Sequence, residues 1–169
     1  VMDLAGVLRV CKRYQRFALG ESLIGEALLS DPHDLRATLF LAAFLADADR
    51  HADAARLWRR IVAAKPDEAD FHLELGRMTL LAGWPDEAVR EFDAYLLLKP
   101  GDPDATYQAA FAYHELGKDD KVLFLLEQLP ELPEAQYLAA MTLRRLDRHA
   151  EAAAAMVKAE SLFSAKAAA

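Results

Sequence analysis

The stretch LGRMTLLAGWPDEAVREFDAYLLLKP, residues 75–100, predicts two helices joined by a short turn and ended by Pro100. Proline has no backbone N–H to donate and does not continue the preceding helix. Pro32 and Pro66 precede Pro100 at successive intervals of 34 residues, in the similar contexts SDPHD, AKPDE and KPGDP. Prolines that end helices at a fixed interval indicate an internal repeat, here one of 34 residues.

The side chains between the prolines support the same register. If each proline takes the thirty-second position, repeats begin at Val1, Leu35, Ala69 and Pro103, and a fifth begins at Pro133. The second and third repeats then match closely: Ala54 with Ala88, Trp58 with Phe92, and Ile61 with Tyr95. Small residues let two helices approach where they cross, and the large residues beside them fill the remaining space.

On these positions the sequence resembles the tetratricopeptide repeat family over its whole length, in five copies. The resemblance implies an all-α fold, a right-handed superhelical solenoid of helix–turn–helix repeats with about ten helices. We expect one domain over residues 1–169, with repeats of about 1–34, 35–68, 69–102, 103–132 and 133–166. The predicted helices are 2–14, 17–30, 34–48, 51–64, 69–82, 85–98, 103–116, 119–128, 134–146 and 149–162. The fourth repeat is shorter because Pro130 and Pro133 end its second helix.

Charge and hydropathy narrow the classes of partner. Of the 169 residues, 20 are Lys or Arg and 27 are Asp or Glu, a net charge of −7, so we expect no nucleic-acid partner. The apolar runs are too short to predict membrane insertion. The single Cys11 cannot form an intramolecular disulfide, and we expect a cytoplasmic, bacterial protein. Because the sequence starts at Val1, a removed signal sequence and a periplasmic location stay open as the alternative.

No residue set predicts catalysis. His33, His51 and His149 fall in turns, whereas His72 and His114 lie on first helices without further ligands at metal-binding spacing. The sequence has no strand-associated phosphate loop and no nucleophile elbow. We therefore expect no enzyme activity, no metal and no cofactor.

The resemblance also implies a binding surface, because first helices line the concave groove in this family. Among the residues at the groove positions, the candidates for partner binding are Leu39, Leu73, Arg77, Leu80, Tyr107, Phe111, His114, Tyr137 and Met141. Apolar side chains in such numbers are expected to be shielded from water. Either a partner protein or the neighbouring helices of the chain can shield them, and the sequence leaves both alternatives open. Leu39, Ala43 and Leu73 stand where chaperone-binding relatives carry a carboxylate clamp, so that mode of binding is not expected.

These observations predict a non-catalytic protein–protein interaction module. Its groove is expected to bind an apolar or amphipathic segment of a partner protein or peptide, as in an adaptor or a secretion-type chaperone. The alternative is a tetratricopeptide scaffold fragment of a larger protein, such as an envelope or secretion assembly factor or a repeat-bearing transferase. A second copy of the chain can also fill such a groove, so a homodimer is a further expectation.

Overall fold

The computed structural model describes residues 3–168 and contains ten α-helices in that range. They are α1 (Leu4–Arg13), α2 (Phe17–Ser30), α3 (Leu35–Asp47), α4 (His51–Ala64), α5 (Ala69–Leu81), α6 (Pro85–Leu98), α7 (Pro103–Glu115), α8 (Asp119–Leu126), α9 (Pro133–Arg145) and α10 (His149–Ala167). Residues 3–168 contain no strand. The predicted all-α class and the ten helices are confirmed.

Three helices differ from the predicted bounds by more than one residue at an end. Helix α1 begins at Leu4, whereas the predicted start at position 2 lies outside the described residues. Helix α8 ends two residues early, at Leu126, because the chain tightens there: the amide of Leu129 donates to the carbonyl of Leu126 at 3.0 Å, just before Pro130. Helix α10 continues five residues beyond the predicted position 162, to Ala167. No Gly or Pro follows His149, so nothing in the sequence stops an Ala-rich helix.

The turn inside each helix pair has the same backbone geometry. One residue per pair has a positive φ between 53° and 78°: Gln15, Asp49, Gly83, Gly117 and Asp147. The next amide donates back to the helix, as from Trp84 to the carbonyl of Thr79 at 2.8 Å, which satisfies a free carbonyl at the helix end. Because these residues follow one another at intervals of 34, 34, 34 and 30, the structure contains five helix pairs that fit a tetratricopeptide-type repeat.

Backbone contacts divide the chain into two compact units, which meet in sequence between Trp84 and Pro85. The first unit holds α1 to α5, and the second holds α6 to α10. In the first unit each helix contacts the next, and α1 also contacts α3. In the second unit each helix again contacts the next, and α7 also contacts α9. The expectation of one continuous stack over residues 1–169 stays a prediction.

The core of the first unit has two clusters. One surrounds Trp58, Ile61 and Leu75 on α4 and α5. The other joins α1, α2 and α3 around Ile24 and Phe44. Small residues set the helix spacing, as the sequence predicts: Ala42 and Ala54 are fully buried.

The second unit has a core between α7, α8 and α9. Ala110, Val122, Leu126, Ala135 and Leu138 form its buried cluster. Val122 occupies a position that is small in the other repeats and is nevertheless fully buried. This cluster holds α7 and α9 in place through the buried sides of the two helices.

Candidate protein-binding face

Helices α7 and α9 lie side by side in the second unit, and contacts between them fix their register. Near their starts, the charge of Glu134 acts on Tyr107. Near their ends, Nδ1 of His114 lies 3.2 Å from the hydroxyl of Thr142. The first helices of the fourth and fifth repeats are therefore in contact within the second unit.

Four large apolar side chains lie at the groove positions of this helix pair. Tyr107 and Phe111 are four residues apart on α7, and Tyr137 and Met141 are four apart on α9, so each pair shares one face of its helix. Phe111 is 38% exposed, Tyr137 48% and Met141 41%, which leaves large apolar areas in water. We call Tyr107, Phe111, Tyr137 and Met141 the apolar face.

Tyr107 differs from the other three members of the apolar face. It is half-buried and packs against the core cluster of the second unit. Burial, followed by the charge of Glu134, raises the pKa of the Tyr107 phenol. Tyr107 thus supports the fold as well as the surface, whereas Phe111, Tyr137 and Met141 are free to contact a partner.

A polar network closes the end of the apolar face at His114. Burial, followed by the charge of Arg145, lowers the pKa of the His114 imidazole, and Glu115 and Asp119 oppose that shift. The guanidinium of Arg145 forms an ion pair with Asp119. Because His114 and Arg145 are held by these contacts, the network fixes the end of α7 to α9.

The predicted groove residues of the first unit have a different environment. Leu39, Leu73 and Leu80 are half-buried, and Leu39 packs against the core cluster of Trp58. Arg77 is also half-buried, and its Nη1 donates to Oε1 of Glu74 at 2.9 Å. The structure therefore brings Tyr107, Phe111, His114, Tyr137 and Met141 together in one unit, and the four residues of the first unit show no comparable exposed surface.

Sequence reasoning missed a second exposed apolar surface of the second unit. Leu97 on α6 is 85% exposed and Phe124 on α8 is 64% exposed. Both lie on second helices, which the family resemblance does not assign to the groove. A signal was present in the repeat register, since Phe124 aligns with Arg56 two periods earlier.

The described residues contain no group of three His, Cys, Asp or Glu side chains placed to hold a metal ion. Within residues 3–168, no helix has the length and hydropathy needed to cross a membrane. The thiol of Cys11 is buried in the core of the first unit.

Comparison with solved structures gives close likenesses to MamA. One MamA crystal structure is 19% identical, covers 100% of this chain and 99% of its own, and has a TM-score of 0.85. Another is 18% identical, with 97% and 92% covered and a TM-score of 0.85. MamA from Desulfovibrio magneticus RS-1, from residue 41 to the end, is 17% identical, with 96% and 94% covered and a TM-score of 0.83.

Comparisons with models of protein families and with curated protein sequences give no match. At identities of 17–19%, the likeness to the MamA structures concerns the path of the backbone. The chain shares its all-helical repeat fold with MamA.

Proposed function

We propose that this chain is a non-catalytic protein-binding module of the tetratricopeptide type, whose apolar face binds an apolar or amphipathic segment of another protein. The observation that carries the proposal is the exposure of Phe111, Tyr137 and Met141 on two helices that contact each other and share the core cluster of the second unit. A protein in water gains nothing from exposing three large apolar side chains on two neighbouring helices, and exposed apolar patches mark interaction sites.

The composition of the apolar face suits binding. Aromatic and methionine side chains are enriched at protein interfaces, and aromatic anchors carry much of the binding free energy. Truncating such an anchor typically costs about 2 kcal/mol or more, which is a loss of about thirtyfold in affinity. Phe111 and Tyr137 are the two residues of the face that combine an aromatic ring with exposure.

The charge of the second unit suggests what flanks the bound segment. Residues 85–169 carry fifteen acidic and nine basic side chains, whereas residues 1–84 carry twelve and eleven. An acidic surface favours encounter with basic partners through long-range attraction. The proposed ligand is therefore an apolar segment with Lys or Arg on its flanks.

Co-purification from the native host, followed by mass spectrometry, tests the proposal. The variant Phe111→Ser with Tyr137→Ser removes both exposed rings and leaves the half-buried Tyr107 in place. The wild-type chain is expected to retain partners that the variant loses, and the far-ultraviolet circular dichroism of the two proteins is expected to agree.

The matched control is Arg56→Ala, which removes an exposed side chain of α4, a second helix. It is expected to retain every partner of the wild type. Equal recovery of all partners by the Phe111→Ser, Tyr137→Ser variant would show that the apolar face is not the binding surface.

A further inference from the structure

A second apolar concavity lies between the second helices of the second unit. A cavity of about 390 Å³ runs between α6 and α8. Its apolar walls are Leu96 and Leu97 on α6 and Phe124 and Leu125 on α8. We call this cavity the α6–α8 valley.

The repeat provides an internal reference for this cavity. The left-handed turn residues Asp49 and Gly117 are 68 residues apart, two periods of the repeat. At the same offset, Pro32, His33, Thr38 and Arg60 in the first unit correspond to Pro100, Gly101, Thr106 and Gln128. The four first-unit residues line a cavity of about 130 Å³, and their four counterparts line the α6–α8 valley.

The replacement of Arg60 by Gln128 removes the side chain that spans the smaller cavity. In the first unit, Nη2 of Arg60 donates to the carbonyl of Pro32 at 3.0 Å and spans the cavity. Gln128 stands at that position in the second unit and has a shorter side chain, just beyond the early end of α8. The second unit therefore has no counterpart of the arginine that spans the smaller cavity.

The α6–α8 valley and the smaller cavity of the first unit also differ in the side chains at their rims. Arg56 in the first unit is exposed and forms an ion pair with Asp53 at 2.7 Å. Its counterpart in the second unit is Phe124, which exposes 64% of its surface beside the valley. An exposed phenylalanine at the position of a solvated arginine has no role in the core, and its placement at a cavity indicates a contact surface.

Polar groups mark one end of the valley. The hydroxyl of Tyr113 donates to Oδ2 of Asp93 at 2.6 Å, so both are already bonded. Nζ of Lys121 lies 5.9 Å from the centre of the Tyr113 ring and forms no ion pair among the described residues. A carboxylate on the ligand complements the charge of Lys121 at this end and sets the orientation of the ligand.

We infer that the α6–α8 valley binds an amphipathic helix of a partner protein, one that presents large apolar side chains to Phe124 and Leu97 and a carboxylate to Lys121. A valley between two helices can accept the side-chain ridge of another helix. The apolar walls of the valley lie on the second helices α6 and α8, whereas the apolar face lies on the first helices α7 and α9, so substitutions can alter the two surfaces separately.

Selection from a phage-displayed library of helix-stabilised 16-residue peptides tests the inference on the full chain. The variant Phe124→Arg with Gln128→Arg restores the residues of the first unit and is expected to fold, because the repeat already accepts arginine at both positions. We expect a set of selected peptides with two large apolar residues and a neighbouring Asp or Glu. Their affinity is expected to fall at least tenfold in this variant.

Two further variants complete the test. Leu97→Asp changes a side chain that is 85% exposed, so it is expected to reduce binding of the same peptides without affecting folding. Phe111→Ser with Tyr137→Ser is expected to leave their affinity unchanged. The inference is overturned if no peptide is enriched, or if every enriched peptide binds the Phe124→Arg, Gln128→Arg and Leu97→Asp variants as it binds the wild type.

Discussion

Gly20 and Gly25 lie on the same helix, α2, yet the structure predicts opposite effects when each is replaced by alanine. A Cβ atom built on Gly20 would lie 2.4 Å from Cζ of Phe44 and 2.9 Å from Cε2. A Cβ atom on Gly25 meets nothing within 4 Å. Both substitutions make the same chemical change in the same helix, so the difference between them isolates the contact with Phe44.

The magnitudes follow from helix propensity and from packing. Alanine stabilises a helix interior by about 1 kcal/mol relative to glycine, so Gly25→Ala is expected to raise the free energy of unfolding by about that amount. At Gly20 the same gain is offset by overpacking of about 1–3 kcal/mol, because carbon atoms prefer separations of about 3.5–4 Å. The Phe44 ring is 4% exposed and packs against Phe17 with ring centres 5.4 Å apart, so it cannot move aside freely.

Urea unfolding followed by circular dichroism measures both variants. We expect Gly20→Ala to be less stable than Gly25→Ala by about 1–3 kcal/mol. In a Phe44→Ala background the clash is removed, and the two alanine substitutions are expected to have the same effect. Equal stability of the two variants in the wild-type background would refute the packing described for α2 and α3.

Further predictions concern the turns and the tyrosine of the α6–α8 valley. Asp147→Gly is expected to raise the free energy of unfolding by about 0.5–1 kcal/mol, because Asp147 has a φ of 57° that glycine adopts without strain. Gly117→Ala is expected to lower the free energy of unfolding by about 1–2 kcal/mol in the same assay. A Gly117→Ala variant more stable than the Asp147→Gly variant would contradict the turn geometry. Burial, followed by the hydrogen bond to Asp93, raises the pKa of Tyr113 to about 12. The folded state therefore holds this proton more tightly than the unfolded state, and stability is expected to fall as pH rises from about 10 to about 12. Tyr113→Phe is expected to reduce the dependence of stability on pH between about 10 and about 12. An unchanged pH dependence in this variant would contradict the assignment of that dependence to Tyr113.

The fold was predictable from the sequence because the prolines that end the helices act through local backbone geometry. Pro32, Pro66 and Pro100 end helices by a mechanism that needs no tertiary contact. Ala54 and Ala88 occupy positions where the repeat register predicts small residues at helix crossings, and both are fully buried. The early end of α8 was less predictable, since it depends on how Leu129 and Pro130 fold back toward α9.

The candidate site was predictable only in part, because exposure depends on neighbours that are distant in sequence. The register placed Leu39 and Phe111 alike on first helices, yet Leu39 packs into a core cluster and Phe111 is 38% exposed. The α6–α8 valley could not be seen from groove positions at all. Its signal was the comparison of Phe124 with Arg56 across two periods.

Site-specific photo-crosslinking shows whether the apolar face contacts the partner protein. Tyr137→p-benzoylphenylalanine places a photoreactive group on the exposed side of α9, and Arg56→p-benzoylphenylalanine places the same group on α4 in the first unit. We expect irradiation to link a partner protein to the chain from position 137 and not from position 56. A crosslink from position 56 with none from position 137 would contradict the account.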